Sequence, residues 1–85
     1  MILRFTASFE RDYRLLPRQL QKVLDKKLLR LLSDARHPSL RVKKMEGYGD
    51  IWEARITKGH RFTFQIEGDT YLIRRTGPHD VLKHP

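Results

Sequence analysis

The stretch IWEARITKGHRFTFQIEGDTYLIRR, residues 51–75, decides the fold. From Ile51 to Thr57 the side chains alternate: Trp52, Ala54 and Ile56 share one face, and Glu53, Arg55 and Thr57 the other. Lys58-Gly59 is a turn signal, and the alternation resumes from His60 to Ile66. There Phe62, Phe64 and Ile66 are apolar, and Arg61, Thr63 and Gln65 oppose them. Glu67-Gly68-Asp69 marks a second turn before Tyr71-Leu72-Ile73-Arg74-Arg75. A period of two, punctuated by glycine turns, predicts three strands in an antiparallel meander. Thr76-Gly77-Pro78-His79-Asp80 then leaves the sheet through a Gly-Pro turn. One face of the meander is apolar and needs a cover. The other is polar and gathers Glu53, Arg55 and Arg61 on neighbouring strands.

The first half of the chain supplies the cover. Ile2 to Thr6 alternates as a first strand. Ser8 is a candidate cap for a short helix carrying Phe9, Tyr13 and Leu16. Pro17 suits the first turn of a second helix, where a missing N–H costs little. Leu20, Val23, Leu24, Leu28, Leu31 and Leu32 fall at the three-or-four spacing of one buried stripe. Arg18, Lys22, Lys26, Lys27 and Arg30 lie between them and read as a solvated face. Loop-forming residues from Ser33 to Pro38 end the helix. The expectation is an α+β domain spanning residues 1–85, with two N-terminal helices packed on one face of a small, mainly antiparallel sheet.

The totals agree with a single domain. The chain has 85 residues, 39% hydrophobic and 33% charged, which suits one modest core and does not suggest disorder. No apolar run approaches the roughly 20 residues of a membrane span, and Met1 to Phe5 is too short for a signal peptide. Cysteine is absent, so disulfides and thiolate metal sites are excluded and a cytoplasmic location is expected. Eighteen Lys and Arg against ten Asp and Glu give a net charge of +8. Such a field speeds encounter with polyanions without saying which, and a generic solubility charge is the plainer reading.

The polar sheet face carries the chemical signal. Arginine forks hold phosphate oxygens in a planar, bidentate way, and histidine moves protons near neutral pH. Arg55, Arg61 and Glu53 on the sheet, with His79 after the last strand, suit phosphoryl chemistry. The alternative is a salt-linked face in which Glu53 pairs with Arg55 or Arg61, and a His79 that only bonds within its turn. Lys43-Lys44 read as a basic loop ahead of Tyr48 and Trp52. Basic residues beside aromatics can hold single-stranded RNA, although Trp52 shares its face with Ala54 and Ile56 and belongs to the core. His37, His60 and His84 show no zinc-helix pairing, and no carboxylate cluster suggests magnesium, so no metal and no cofactor are expected. No phosphate-cradling glycine loop or helix-turn-helix signal is present.

Taken in order, the motifs resemble those of RelE/ParE-superfamily toxins along nearly the whole chain. The resemblance is carried by Phe9, Tyr13 and Leu16-Pro17, by the Leu-rich helix, and by Asp34-Ala35-Arg36-His37-Pro38-Ser39-Leu40. It continues through Lys44-Met45-Glu46-Gly47, Ile51 to Ile56, His60 to Ile66, and Gly77-Pro78-His79-Asp80-Val81-Leu82. It implies a RelE-like fold and, for the RelE-like branch, metal-independent cleavage of mRNA in the A site of the 70S ribosome by the ribose 2′-hydroxyl. Carried over by position, Arg61 would stabilise the phosphate and His79 would be the acid to the leaving 5′-oxygen. Glu53 would be a general base and Arg55 a phosphate contact. Lys43, Lys44, Lys58 and Arg75 would hold RNA. The chain departs from relatives that carry a tyrosine beside the tail histidine. Here Asp80 follows, and it is a candidate to orient His79. The partners implied are a cognate antitoxin together with mRNA and the ribosome, and no membrane. In the ParE-like alternative the partner is DNA gyrase and nothing is cleaved. A third reading is an inactive member that only binds antitoxin or RNA.

Overall fold

The computed structural model describes all residues from Met1 to Pro85. Strand β1 (Ile2–Phe5) leads into helices α1 (Ala7–Leu15) and α2 (Arg18–Ser33). A 3₁₀ turn at Pro38–Leu40 and a two-residue strand β2 (Lys43–Lys44) follow. Strands β3 (Trp52–Thr57), β4 (His60–Glu67) and β5 (Thr70–Pro78) form the meander, and a second 3₁₀ turn at His79–Lys83 closes the chain. The five strands lie in the order β1-β5-β4-β3-β2. Only β1 runs parallel to its neighbour, pairing Ile2 with Thr70 and Phe5 with Ile73. The helices between β1 and the meander make that parallel return possible, since a parallel neighbour needs a long crossover.

The expected stripe of α2 is the one that packs. Leu24, Leu28 and Leu31 are buried, with Leu20, Val23 and Leu32 partly buried against the same core. They meet Ala54, Ile56, Phe62, Phe64, Tyr71 and Ile73 from the sheet, and Phe9 and Leu16 from the α1 segment. Phe64 meets Tyr71 edge-on with ring centres 5.6 Å apart, a favourable aromatic geometry. Between the helices, the Tyr13 hydroxyl donates to Asp25 at 2.8 Å. That bond, then partial burial, then the Asp25 charge raise the Tyr13 pKa above its ordinary value. A raised folded-state pKa means the contact stabilises fully below the unfolded phenol's pKa, about 10, and is lost as pH rises through the folded value.

Four local expectations are corrected by the structure. The cap of α1 is Thr6, not Ser8: the Thr6 hydroxyl accepts from the Phe9 N–H at 3.0 Å and donates to the Arg74 carbonyl at 2.6 Å. Thr6 is placed to do both because it is where β1 turns away from β5. Pro17 stands at the cap of α2, just outside the first helical residue. Lys43-Lys44 is an edge strand, pairing with Glu53 and Trp52, instead of a loop. Thr76-Gly77-Pro78 stays in β5 because it finds partners in Phe62, Arg61 and His60. The chain leaves the sheet only at His79. There it folds back so that Val81 is buried over Gly77, where an added β-carbon would lie 3.8 Å from that of Val81.

The polar face is therefore only half open. Thr63, expected on it, is 0% exposed, and its hydroxyl donates to the main-chain oxygen of Pro85 at 3.1 Å. The tail covers the β4–β5 side of this face and leaves the β2–β3–β4 side free. A one-residue shift between Thr63 and Phe64 leaves Arg74 of β5 without a strand partner. Such a bulge re-aims side chains, and here Arg74 donates to Gln65 at 2.7 Å and to the Pro85 oxygen at 3.0 Å.

Leu24→Ala should cost about 2–5 kcal/mol, because the site is fully buried between helix and sheet. Leu29→Ala, on the same helix but 65% exposed, should change stability by less than about 0.5 kcal/mol. Urea unfolding of the two variants checks the packing face directly.

Candidate active site

The free half of the polar face forms a cleft of about 410 Å³ lined by Arg41, Val42, Lys43, Glu53, Arg55 and Arg61. Strand register builds it. Lys43 lies opposite Glu53 across β2–β3, and Arg55 lies opposite Arg61 across β3–β4. Like charges on directly paired residues destabilise a sheet, so the Arg55–Arg61 pair works against folding unless something offsets it. Glu53 supplies part of the offset, with its Oε1 4.0 Å from the Arg61 Nε. Both side chains are well sheltered, 11% exposed for Glu53 and 16% for Arg61. Four cations still share the cleft with a single carboxylate. An anion bound between the arginines would relieve that excess.

Arg61 is held in place by the β3–β4 hairpin. Its Nη1 donates to the carbonyls of Thr57 at 2.8 Å, Lys58 at 3.1 Å and His60 at 3.0 Å. A second register shift, between Arg55 and Thr57, turns this end of the hairpin and brings those carbonyls around the guanidinium. One arm of the fork is thus fixed, and Nε and Nη2 remain for a ligand. That is the preorganisation wanted of a group that stabilises charge in a transition state.

His79 lies at the same hairpin without lining the cleft. Its N–H donates to the Gly59 carbonyl at 3.0 Å, so the turn that holds Arg61 also anchors the histidine's backbone. Its side chain is exposed. Asp80 does not contact it: the Asp80 carboxylate is 4.0 Å from Lys83 instead. Lys58 is exposed at the hairpin tip. Lys44 faces Asp50 at 3.9 Å in an exposed pair of little energetic weight. Arg75 stands apart from the cleft cations, with its Nε 2.6 Å and its Nη2 3.2 Å from the Asp12 carboxylate. These bonds raise its pKa further, against the opposing effect of burial.

Arg41 is the cleft residue that sequence reasoning missed. It follows the Pro38–Leu40 turn in the left-handed conformation, φ 45°, which a non-glycine residue adopts at some cost. Nothing in the sequence marks it, since the turn that aims it depends on Leu40 being drawn into the core. No three His, Cys, Asp or Glu side chains converge as a metal site would require.

This arrangement of sheet, helices and tail matches solved structures closely. A YoeB/ParE toxin from Agrobacterium tumefaciens superposes with a TM-score of 0.81 at 19% identity, covering 93% of this chain and 99% of that one. The chain has the fold of the RelE/ParE toxins. A RelB–RelE antitoxin–toxin complex from Methanococcus jannaschii gives 0.77 at 20% identity, covering 96% of this chain and 99% of that one. A DinJ–YafQ toxin–antitoxin complex from E. coli gives 0.79 at 13% identity, covering 94% and 93%. No protein-family model and no curated protein matches the sequence. On this RelE-like scaffold the cleft occupies the sheet face opposite the helices, and no helix is long and apolar enough to cross a membrane.

Arg55 contacts no carboxylate within 4.0 Å. Arg55→Ala should therefore leave the fold intact and weaken whatever affinity the cleft has for a single-stranded polyanion. The slope of log affinity against log salt should flatten by about 0.7–1. Titrations at several salt concentrations check it.

Proposed function

We propose that the protein is the toxin of a type II toxin–antitoxin pair and acts as a metal-independent endoribonuclease on mRNA at the ribosome. The observation that supports this best is Arg61, fixed by its hairpin beside Glu53 in a cation-rich cleft. A scissile phosphate seated between Arg55 and Arg61 meets two guanidinium groups and the Lys43 ammonium. Glu53 takes the proton of the ribose 2′-hydroxyl, and the 2′-oxygen forms its bond to phosphorus. The bond from phosphorus to the 5′-oxygen breaks, and protonated His79 supplies the proton that the leaving oxygen needs. The products are a 2′,3′-cyclic phosphate and a 5′-hydroxyl, and charge developing on the phosphate falls to the free arms of Arg61. Lys58 extends the positive surface at the hairpin tip, whereas Lys44, opposite Trp52 and beside Asp50, belongs to the other face of the sheet and takes no part in holding RNA. The partner that silences this site is an antitoxin presenting acidic and apolar side chains, and the setting is the cytoplasm.

A second reading is a non-catalytic, ParE-like inhibitor of DNA gyrase. It is favoured by the exposure of His79 outside the cleft, with no carboxylate orienting it.

Expression without antitoxin separates the two. The nuclease reading expects growth arrest with new codon-phased mRNA 5′ ends, and loss of both in Arg61→Ala and His79→Ala. Removing either group should slow cleavage by roughly 10²–10⁴-fold. Arrest with intact mRNA and induced DNA damage, unaffected by His79→Ala, would replace the nuclease with the gyrase reading.

A further inference from the structure

Arg75 and Asp12 form the best-bonded ion pair in the chain, and nothing in the cleft uses it. Asp12 lies on α1, and its carboxylate takes three bonds from β5: Arg75 Nε at 2.6 Å, Arg75 Nη2 at 3.2 Å and the Thr76 N–H at 3.1 Å. The third arm of Arg75, Nη1, reaches the tail and donates to the His84 carbonyl at 3.1 Å. One side chain thus ties the first helix, the last strand and the segment after His79 together. The adjacent Arg74 and Thr63 bond the Pro85 oxygen, so three donors converge on the main chain of two consecutive tail residues. At its other end the tail is pinned by the His79 N–H on the Gly59 carbonyl.

We infer that Asp12 and Arg75 are positioning residues: their ion pair latches the tail to the sheet and so fixes where His79 stands relative to Arg61. The inference rests on the nuclease reading for its catalytic consequence but not for the latch itself. It gives Arg75 a different role from the RNA contact expected of it, because the guanidinium is spent on Asp12 and His84. The geometry needs arginine. A lysine ammonium cannot span a carboxylate on one side and a carbonyl on the other as the planar fork does. The His79–Lys83 turn is also held by the His79 N–H on the Gly59 carbonyl and by the Tyr48 hydroxyl on the Lys83 carbonyl. Val81 is buried, but Lys83 and His84 are exposed and are held chiefly through their main chain.

Amide hydrogen exchange on the whole protein tests the latch without any assay of activity. In Arg75→Ala, and in the milder Asp12→Asn, exchange of residues 81–84 should speed up at least tenfold while β3 and β4 keep their protection. Unchanged protection of the tail in both variants overturns the latch. Single-turnover cleavage of mRNA bound in programmed ribosomes then tests its consequence. Arg75→Ala should lower the maximal rate without raising KM, Arg75→Lys should not restore it, and Arg75→Ala combined with His79→Ala should be no slower than His79→Ala alone. A raised KM with an unchanged rate would make Arg75 an RNA contact. Additive losses in the double variant would show that it does not act through His79. If the wild type cleaves no RNA, the nuclease reading falls while the exchange result still decides the latch.

Discussion

The register of β3 against β4 is the constraint on which the rest of the structure depends. Ala54 opposite Phe62 places small against large on the helix side, and Arg55 opposite Arg61 places two cations together on the other. A slip of one residue would reverse every side chain in the hairpin, burying arginines under α2 and exposing Phe62 and Phe64. The core therefore enforces the cleft. The repulsion between Arg55 and Arg61 is tolerated because the burial of Phe62, Phe64, Leu24 and Leu31 outweighs it, with Glu53 and three hairpin carbonyls absorbing part of the charge.

That arrangement has a consequence for binding. In a cleft with four cations and one carboxylate, the resting state is electrostatically unsatisfied, and the shelter of Glu53 and Arg61 from solvent weakens screening. Ligand charge is attracted most strongly where the protein cannot neutralise itself. Glu53 has a double effect here. It steadies Arg61, and it leaves an acceptor beside the position where a phosphate would sit. A lysine in its place would make the site more cationic but would remove the acceptor.

Much of this was legible in the sequence, for identifiable reasons. Alternation from Trp52 to Ile66 is dictated by one-sided burial, so faces and turns followed from period alone, as did the stripe of α2. Glu53, Arg55 and Arg61 were expected to share a face, and they line one cleft. What was hidden is what depends on contacts distant in sequence. Thr6 rather than Ser8 caps α1 because of a bond to Arg74, 68 residues away. Thr63 looked solvent-facing in a strand pattern, yet Pro85 covers it. Arg75 looked like one more basic residue of the strand until Asp12, 63 positions earlier, claimed it. Arg41 had no signal at all, because a left-handed turn in a non-glycine residue is fixed by its surroundings.

The two halves of the polar face illustrate how a domain this small divides its labour. A sheet packed on helices along one side must leave its other side to solvent or find a second cover, and this chain does both. Over β4 and β5 the tail supplies main-chain oxygens to Thr63, Arg74 and Arg75, so three polar groups are satisfied by backbone rather than by a second layer of core. Over β2, β3 and β4 no such cover exists, and the cations stay available. The bulge at Arg74 marks the boundary. By shifting the register it lets two consecutive arginines of β5 reach tail oxygens, whereas strict alternation would have sent one of them toward the core. The hairpin carbonyls at Thr57, Lys58, Gly59 and His60 then join the halves, gripping Arg61 on one side and the His79 backbone on the other. Cleft and tail in this way share one hairpin, whose carbonyls hold a residue of each.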